Sequence, residues 1–178
     1  MNASIQTALK QLRLSAMAQS LEVRLHEAAG NGLTHGEFLE LVLQDELLVR
    51  KDRQMQRRLK AAQFRERKTL EDFDWQFNPS IKKKLVYDLA GGRFVREARD
   101  CLWLGPPGTG KSHLCQAIGY QAIKMGFLVL YRSIFDVVRD FLEDEAFAGE
   151  NKVLAKYLKP DLLIIDYMGI KQLLKRSG

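Results

Sequence analysis

Eight consecutive residues, Gly105-Pro106-Pro107-Gly108-Thr109-Gly110-Lys111-Ser112, constrain this chain more than any other stretch of its 178 residues. They fit G-x-x-x-x-G-K-[ST], a pattern in which glycines let backbone N–H groups close around phosphate oxygens. Each residue type has a task in that chemistry. Lys111 reaches the β- and γ-phosphates of a nucleotide such as ATP, and the Ser112 hydroxyl ligates Mg²⁺. The helix that follows points its positive N-terminal end at the anion. Ahead of the loop, Cys101-Leu102-Trp103-Leu104 reads as a buried strand. Behind it, Leu114, Ala117, Ile118, Ala122 and Met125 share one helical face until Gly126 stops the helix. At ordinary residue frequencies the pattern arises by chance in about 0.6% of chains this long, which makes a functionless glycine turn the weaker reading.

The rest of this half alternates strand and helix. Phe127-Leu128-Val129-Leu130-Tyr131 is the next strand, Ser133 with Asp136 opens a helix carrying Ile134, Val137, Val138, Phe141 and Leu142, and Leu162-Leu163-Ile164-Ile165-Asp166 follows Pro160. Three apolar strands joined by helical crossovers make a parallel sheet. An acid ending an apolar strand behind a phosphate loop is placed to hold the hydration shell of Mg²⁺, so Lys111 and Asp166 are the candidate catalytic pair and Ser112 and Asp166 the candidate magnesium residues. Where hydrolysing ATPases commonly carry a second acid, this chain has Tyr167. Phenol is a poor base at neutral pH, and loss of general-base help costs about 10² to 10⁴ in rate.

The first third is helical in pattern. Leu9, Leu12, Leu14, Met17, Leu21 and Leu25 recur at three- and four-residue steps, and a turn follows at Gly30 to Gly32. Thr34 with Glu37 forms a capping box opening a second helix with Phe38, Leu41, Val42 and Leu48 on its apolar face. Beyond it the charge changes. Between Arg50 and Lys68 nine basic residues stand against Asp52 and Glu66, a local +7 in a chain whose net charge is +6. A solvated helix face would account for such a run, but the excess of Arg points to phosphate-backbone contact, with Arg50, Lys51, Arg53, Arg57, Arg58 and Lys60 as candidate DNA contacts. The organisation is therefore 1–68 helical and basic, 69–99 a connector, and 100–178 an ATP-binding domain. In the connector Phe73, Trp75 and Phe77 alternate as an extended segment would, and Asn78-Pro79-Ser80 opens a short helix ending near Gly91-Gly92.

Other classes are set aside. No apolar run approaches the roughly 18 residues that span a bilayer, and the N-terminus carries no signal pattern, so a cytoplasmic protein without membrane association is expected. Cys101 and Cys115, the two cysteines, have no C-x-x-C spacing and read as small core residues. Pro106, Pro107, Gly108, Thr109 and His113 complete the candidate nucleotide-binding set, although His113 reads more simply as a packed or solvated first-turn residue. His26 and His35 read as surface residues, and Trp75 and Phe77 as packing of the connector.

Taken together, the leucine-rich start, the basic helix, Leu70-Glu71-Asp72-Phe73-Asp74, Asn78-Pro79-Ser80, the loop through Leu114 and Leu163-Ile164-Ile165-Asp166 resemble the IstB-type transposition helper ATPases of bacterial insertion sequences. The likeness covers nearly the whole chain. That family is similar to DnaC-type helicase loaders and belongs to the AAA+ class. The resemblance implies a P-loop NTPase (AAA+-like) α/β core with a parallel sheet, an N-terminal helical DNA-binding domain, ATP-dependent assembly on duplex DNA, as a homo-oligomer if full-length, and stimulation of a transposase. It also implies nucleotide binding by Gly105, Gly110, Lys111 and Ser112 and magnesium support by Asp166. The family usually has an acid at the position of Tyr167 and continues beyond Gly178 through further strands, a sensor residue and an arginine finger. The expectation is therefore a core incomplete at the C-terminus, ATP binding with little turnover, and marginal stability. A helicase loader, a non-hydrolysing nucleotide-responsive DNA-binding module and a small-molecule kinase are the alternatives, the last weakened by the lack of an evident substrate lid.

Overall fold

The computed structural model describes residues 3–146 and 152–167. In chain order they form α1 (Ala3–Gln11), α2 (Ser15–Asn31), α3 (His35–Ala62), α4 (Lys83–Ala90), α5 (Arg93–Arg96), α6 (Lys111–Lys124), β1 (Val129–Ser133), α7 (Ile134–Ala146), α8 (Lys152–Leu158) and β2 (Leu162–Asp166). None of the described helices is long and apolar enough to cross a membrane. The chain divides near Gln56 into two compact units.

In the first unit the leucine periodicity does not make one helix. Arg13 turns to φ 57°, Leu14 N–H reaches back to the Leu9 carbonyl at 2.9 Å, and α2 starts afresh at Ser15. The break is compensated from α3: Glu46, 3% exposed, accepts the backbone N–H groups of Ala16 at 2.8 Å and Met17 at 3.2 Å. A carboxylate there satisfies orphan donors and complements the helix dipole. Leu9, Met17, Leu21 and Val42 form the core, with Leu14, Ala18 and Phe38 packed against it. The capping box forms reciprocally, Thr34 N–H to Glu37 at 2.8 Å and Glu37 N–H to Thr34 Oγ1 at 3.3 Å. Leu48, expected on the apolar face, is exposed, because the buried side of α3 continues through Glu46 instead.

The second unit contains the sheet. β1 and β2 run parallel, with Val129 opposite Leu162 and Ser133 opposite Asp166, joined through α7 and α8. Ser133 and Asp136 cap α7 reciprocally, as the sequence pattern anticipates. The crossover is tied down at Asp140, which accepts Lys156 Nζ at 2.6 Å, Tyr157 Oη at 2.6 Å and Arg132 Nη2 at 2.7 Å. Burial opposes its charge, yet these donors hold the carboxyl at about 2. α6 is covered on nearly every side, with Leu114, Ala117, Ile118, Tyr120, Ala122 and Ile123 buried. It approaches β2 closely at Gly119, where a Cβ would lie 2.8 Å from Ile164 Cδ1 and 2.9 Å from the Phe64 ring.

Several expectations are corrected here. Cys101-Leu102-Trp103-Leu104 is not a strand among the described residues: the sheet has two strands, and Leu102 and Leu104 are each 82% exposed. A strand exists only through pairing, and neither described strand lies in hydrogen-bonding register with this segment. Cys101 is accordingly exposed rather than a core residue. The connector is a series of turns, not an extended run. Leu70, Phe73 and Val86 join Leu114, Ala117 and Ile118 in one core with Trp75 against it, whereas Phe77 is exposed. Its helix begins at Lys83, because Asn78 Oδ1 takes up Ser80 N–H and Oγ in a local turn.

Candidate nucleotide site

The loop 105–112 owes its path to glycine and to the connector. Gly108 and Gly110 hold φ of 77° and 90°, a region that residues with a Cβ avoid. At Gly110 a Cβ would also meet the Phe73 ring at 2.8 Å, so the ring lies directly on the loop backbone. Asn78 Nδ2 donates to the Thr109 carbonyl at 3.4 Å, bracing the loop from the connector. Immediately after Gly110 the chain enters α6, leaving the first-turn N–H groups and the positive end of the helix dipole at the loop.

Lys111 follows the turn and folds over it. Its Nζ donates to the carbonyls of Gly105 at 2.9 Å and Pro106 at 2.5 Å and to Thr109 Oγ1 at 3.2 Å. All three ammonium hydrogens thus have oxygen acceptors within the loop, which is the donor set a phosphate would require. Ser112 sits half-buried beside it.

Asp166 is delivered by β2. Residues two apart on a strand share a face, and Ile164 lies under Gly119 of α6, so Asp166 projects on the α6 side of the sheet. Parallel register sets it opposite Ser133, with Tyr131 on the same face. The Tyr131 hydroxyl donates to Asp166 Oδ2 at 2.5 Å. Burial, and then the neighbouring carboxylate, push the Tyr131 phenol well above its ordinary range, so it stays a donor at neutral pH. Lys111 and Asp166 line one cavity of about 1160 Å³, together with Gly105, Pro107 and Cys115. That volume slightly exceeds the usual range of about 300–1,000 Å³ for small-molecule sites, because the cavity extends between the segment 101–104 and β2. Burial, and after it the charge of Asp166, raise the Cys115 thiol to about 12, so it enters the cavity as a neutral wall.

The other sequence candidates are placed differently. His113 Nε2 donates to the Thr69 carbonyl at 2.8 Å, and its ring stands edge-on to Phe73 at 5.1 Å, which occupies the imidazole in holding the connector to α6. Tyr167 is exposed at the cavity margin, 6.4 Å from the Phe135 ring. The basic candidates lie on α3. In the first unit Arg50 pairs with Glu46 at 2.8 Å and Arg53 reaches Ser15 Oγ at 2.7 Å, while Lys51 is exposed. In the second, Arg57 and Lys60 are exposed and Arg58 is half-buried. His26 and His35 are exposed as expected. Sequence reading missed Asn78 and Tyr131 as site residues. Asn78 was legible as an Asn-Pro turn, whereas the reach of Tyr131 to Asp166 depends on strand register.

The donor set fits a magnesium nucleotide. Among the described residues no cluster of three or more His, Cys, Asp or Glu side chains gathers. A cation here would therefore draw on Ser112, Asp166 and oxygens of phosphate and water, the mixed shell that Mg²⁺ prefers. The Cβ-free approach at Gly110 and the amide-rich start of α6 supply the complementary anion cradle.

Residues 7–178 match the family described as IstB-like ATP binding protein. The chain belongs to that family. Among curated relatives of this IstB-like chain, an ATP-binding protein by name from insertion sequence IS21 of Pseudomonas aeruginosa is 34% identical over 93% of the chain and 62% of its own length. One from an insertion sequence of Mycobacterium tuberculosis is 30% identical over 95% and 67%. A third, from insertion sequence IS5376 of Geobacillus stearothermophilus, is 31% identical over 91% and 64%. The chain thus spans 62–67% of the length of these three relatives. Family and architecture agree: the helix-rich chain with its parallel strand pair carries part of an α/β P-loop core.

Proposed function

We propose that this chain binds Mg-ATP at the loop 105–112 and acts as the nucleotide-dependent helper of a transposase on duplex DNA. The observation that carries the reading is the convergence of Lys111 and Asp166 on one cavity at the start of α6, in a chain whose relatives are named for ATP binding in insertion sequences. Lys111 would exchange its loop carbonyls for phosphate oxygens, and the backbone N–H groups from Gly108 onward would cradle the same anion. Ser112 and Asp166 would hold Mg²⁺, which when bound neutralises charge on the phosphates. The exposed cations Lys51, Arg57 and Lys60 on α3, with Arg50, Arg53 and Arg58, are the proposed DNA contacts. Homo-oligomeric assembly on the duplex completes the reading.

A second reading, a nucleotide-responsive DNA-binding module with negligible turnover, is favoured by one residue. Tyr167 follows Asp166 with its phenol exposed, where an acid would orient the attacking water. ATPase assays with and without duplex DNA separate the two. DNA-stimulated phosphate release supports the helper reading, and nucleotide and DNA binding with no release supports the second. Phosphate transfer to a metabolite would overturn both in favour of a kinase.

A further inference from the structure

We propose that Tyr131 is a positioning residue for Asp166, holding the carboxylate in the orientation that magnesium-dependent nucleotide binding requires. The inference rests on the Mg-ATP reading above and adds to it a residue that no motif marks. Tyr131 lies at the middle of β1 and is 2% exposed. A hydroxyl that deeply buried must find a partner, and it finds Asp166 Oδ2 at 2.5 Å. That is the short distance of an O–H donor on an ionised oxygen, roughly twice as strong as a neutral hydrogen bond. Among the described residues Oδ1 carries no protein hydrogen bond, so one oxygen is anchored and the other remains for the hydrated cation.

The anchor is itself held. Tyr131 faces Ile164 in register, and its ring lies 5.9 Å from that of Phe64. Phe64 occupies the space left by Gly119 of α6. The ring is therefore held beside Ile164 of β2 and against Phe64, and its hydroxyl ends on Asp166, which itself lines the cavity. A surface carboxylate would rotate freely; here the rotamer is fixed before a ligand arrives, which removes an ordering cost from binding. Asp140 offers an internal comparison. It accepts the Tyr157 hydroxyl at 2.6 Å, a bond of the same chemistry that ties α7 to α8 and has no part in the phosphate site.

The test is Tyr131→Phe in the full chain, which keeps the ring and deletes the donor, beside Tyr157→Phe as its structural counterpart. Fluorescent ATP affinity is measured with Mg²⁺ and with chelator, and Mn²⁺ uptake with ATP is followed by electron paramagnetic resonance. For Tyr131→Phe we expect about a tenfold loss of affinity confined to the Mg²⁺ arm, with weaker Mn²⁺ retention. Tyr157→Phe is expected to leave both readouts unchanged. Equal loss with and without cation, equal loss in the two variants, or no loss in Tyr131→Phe would each overturn the positioning role. Failure of the unaltered chain to bind ATP would instead overturn the underlying Mg-ATP reading and the inference with it.

Discussion

Glu46 Oε2 accepts the backbone N–H of Ala16 at 2.8 Å, a contact across 30 residues that starts α2 where the leucine pattern alone would have run straight on. Arg50 Nε holds the other oxygen at 2.8 Å. Burial works against this charge, but Arg50 and the Met17 and Ala16 amides outweigh it and keep the carboxyl below its ordinary range. Glu46→Ala leaves the α2 amides and Arg50 without their partner and should cost about 1–3 kcal/mol, measured by urea unfolding at neutral pH. The sign with pH follows from the lowered value. The stabilisation is complete above the unfolded glutamate value of about 4.3 and is lost as pH falls through the lower folded value. In Glu46→Ala that acid-dependent component should be missing.

Gly119 is the second test of the fold. A methyl group there meets Ile164 Cδ1 and Phe64 within 3 Å, so Gly119→Ala should destabilise the second unit by about 1–3 kcal/mol through overpacking. Gly30, in α2, has open space around its Cβ position. Gly30→Ala should stabilise by about 0.5–1 kcal/mol from helix propensity. Thermal melts of the two variants should move in opposite directions.

How much of this was readable in advance depended on how local each signal is. The phosphate loop, the Thr34–Glu37 and Ser133–Asp136 boxes and β2 are written in contiguous residues, and they form where the pattern puts them. The break at Arg13 was not readable, because it depends on a carboxylate from α3. Nor was the state of the segment 101–104, whose apolar residues fit a strand by composition while strand identity requires a paired neighbour. The site divides the same way: Lys111 and Ser112 follow from the loop motif, but Tyr131 reaches Asp166 only through parallel register. α8 was missed because its seven residues give too short a periodic run to read.

If α3 carries the proposed DNA contacts, its exposed cations should act through phosphates. Arg57→Ala with Lys60→Ala should weaken binding to unrelated duplexes alike and flatten the slope of log affinity against log salt by about 2. Arg50 and Arg53 have protein partners, so their substitution should also disturb the first unit. Fluorescence anisotropy across a salt series measures the slope, and an unchanged slope in the double variant would remove α3 from the DNA surface.

The most direct test of the central claim is equilibrium binding of ATP, with Mg²⁺ present, to the unaltered chain and to Lys111→Ala. Lys111 makes its hydrogen bonds within the loop, so its replacement removes the phosphate donor with little effect on the core. The account predicts saturable binding by the unaltered chain and its loss in Lys111→Ala. Equal binding by both proteins, or none by either, would contradict it.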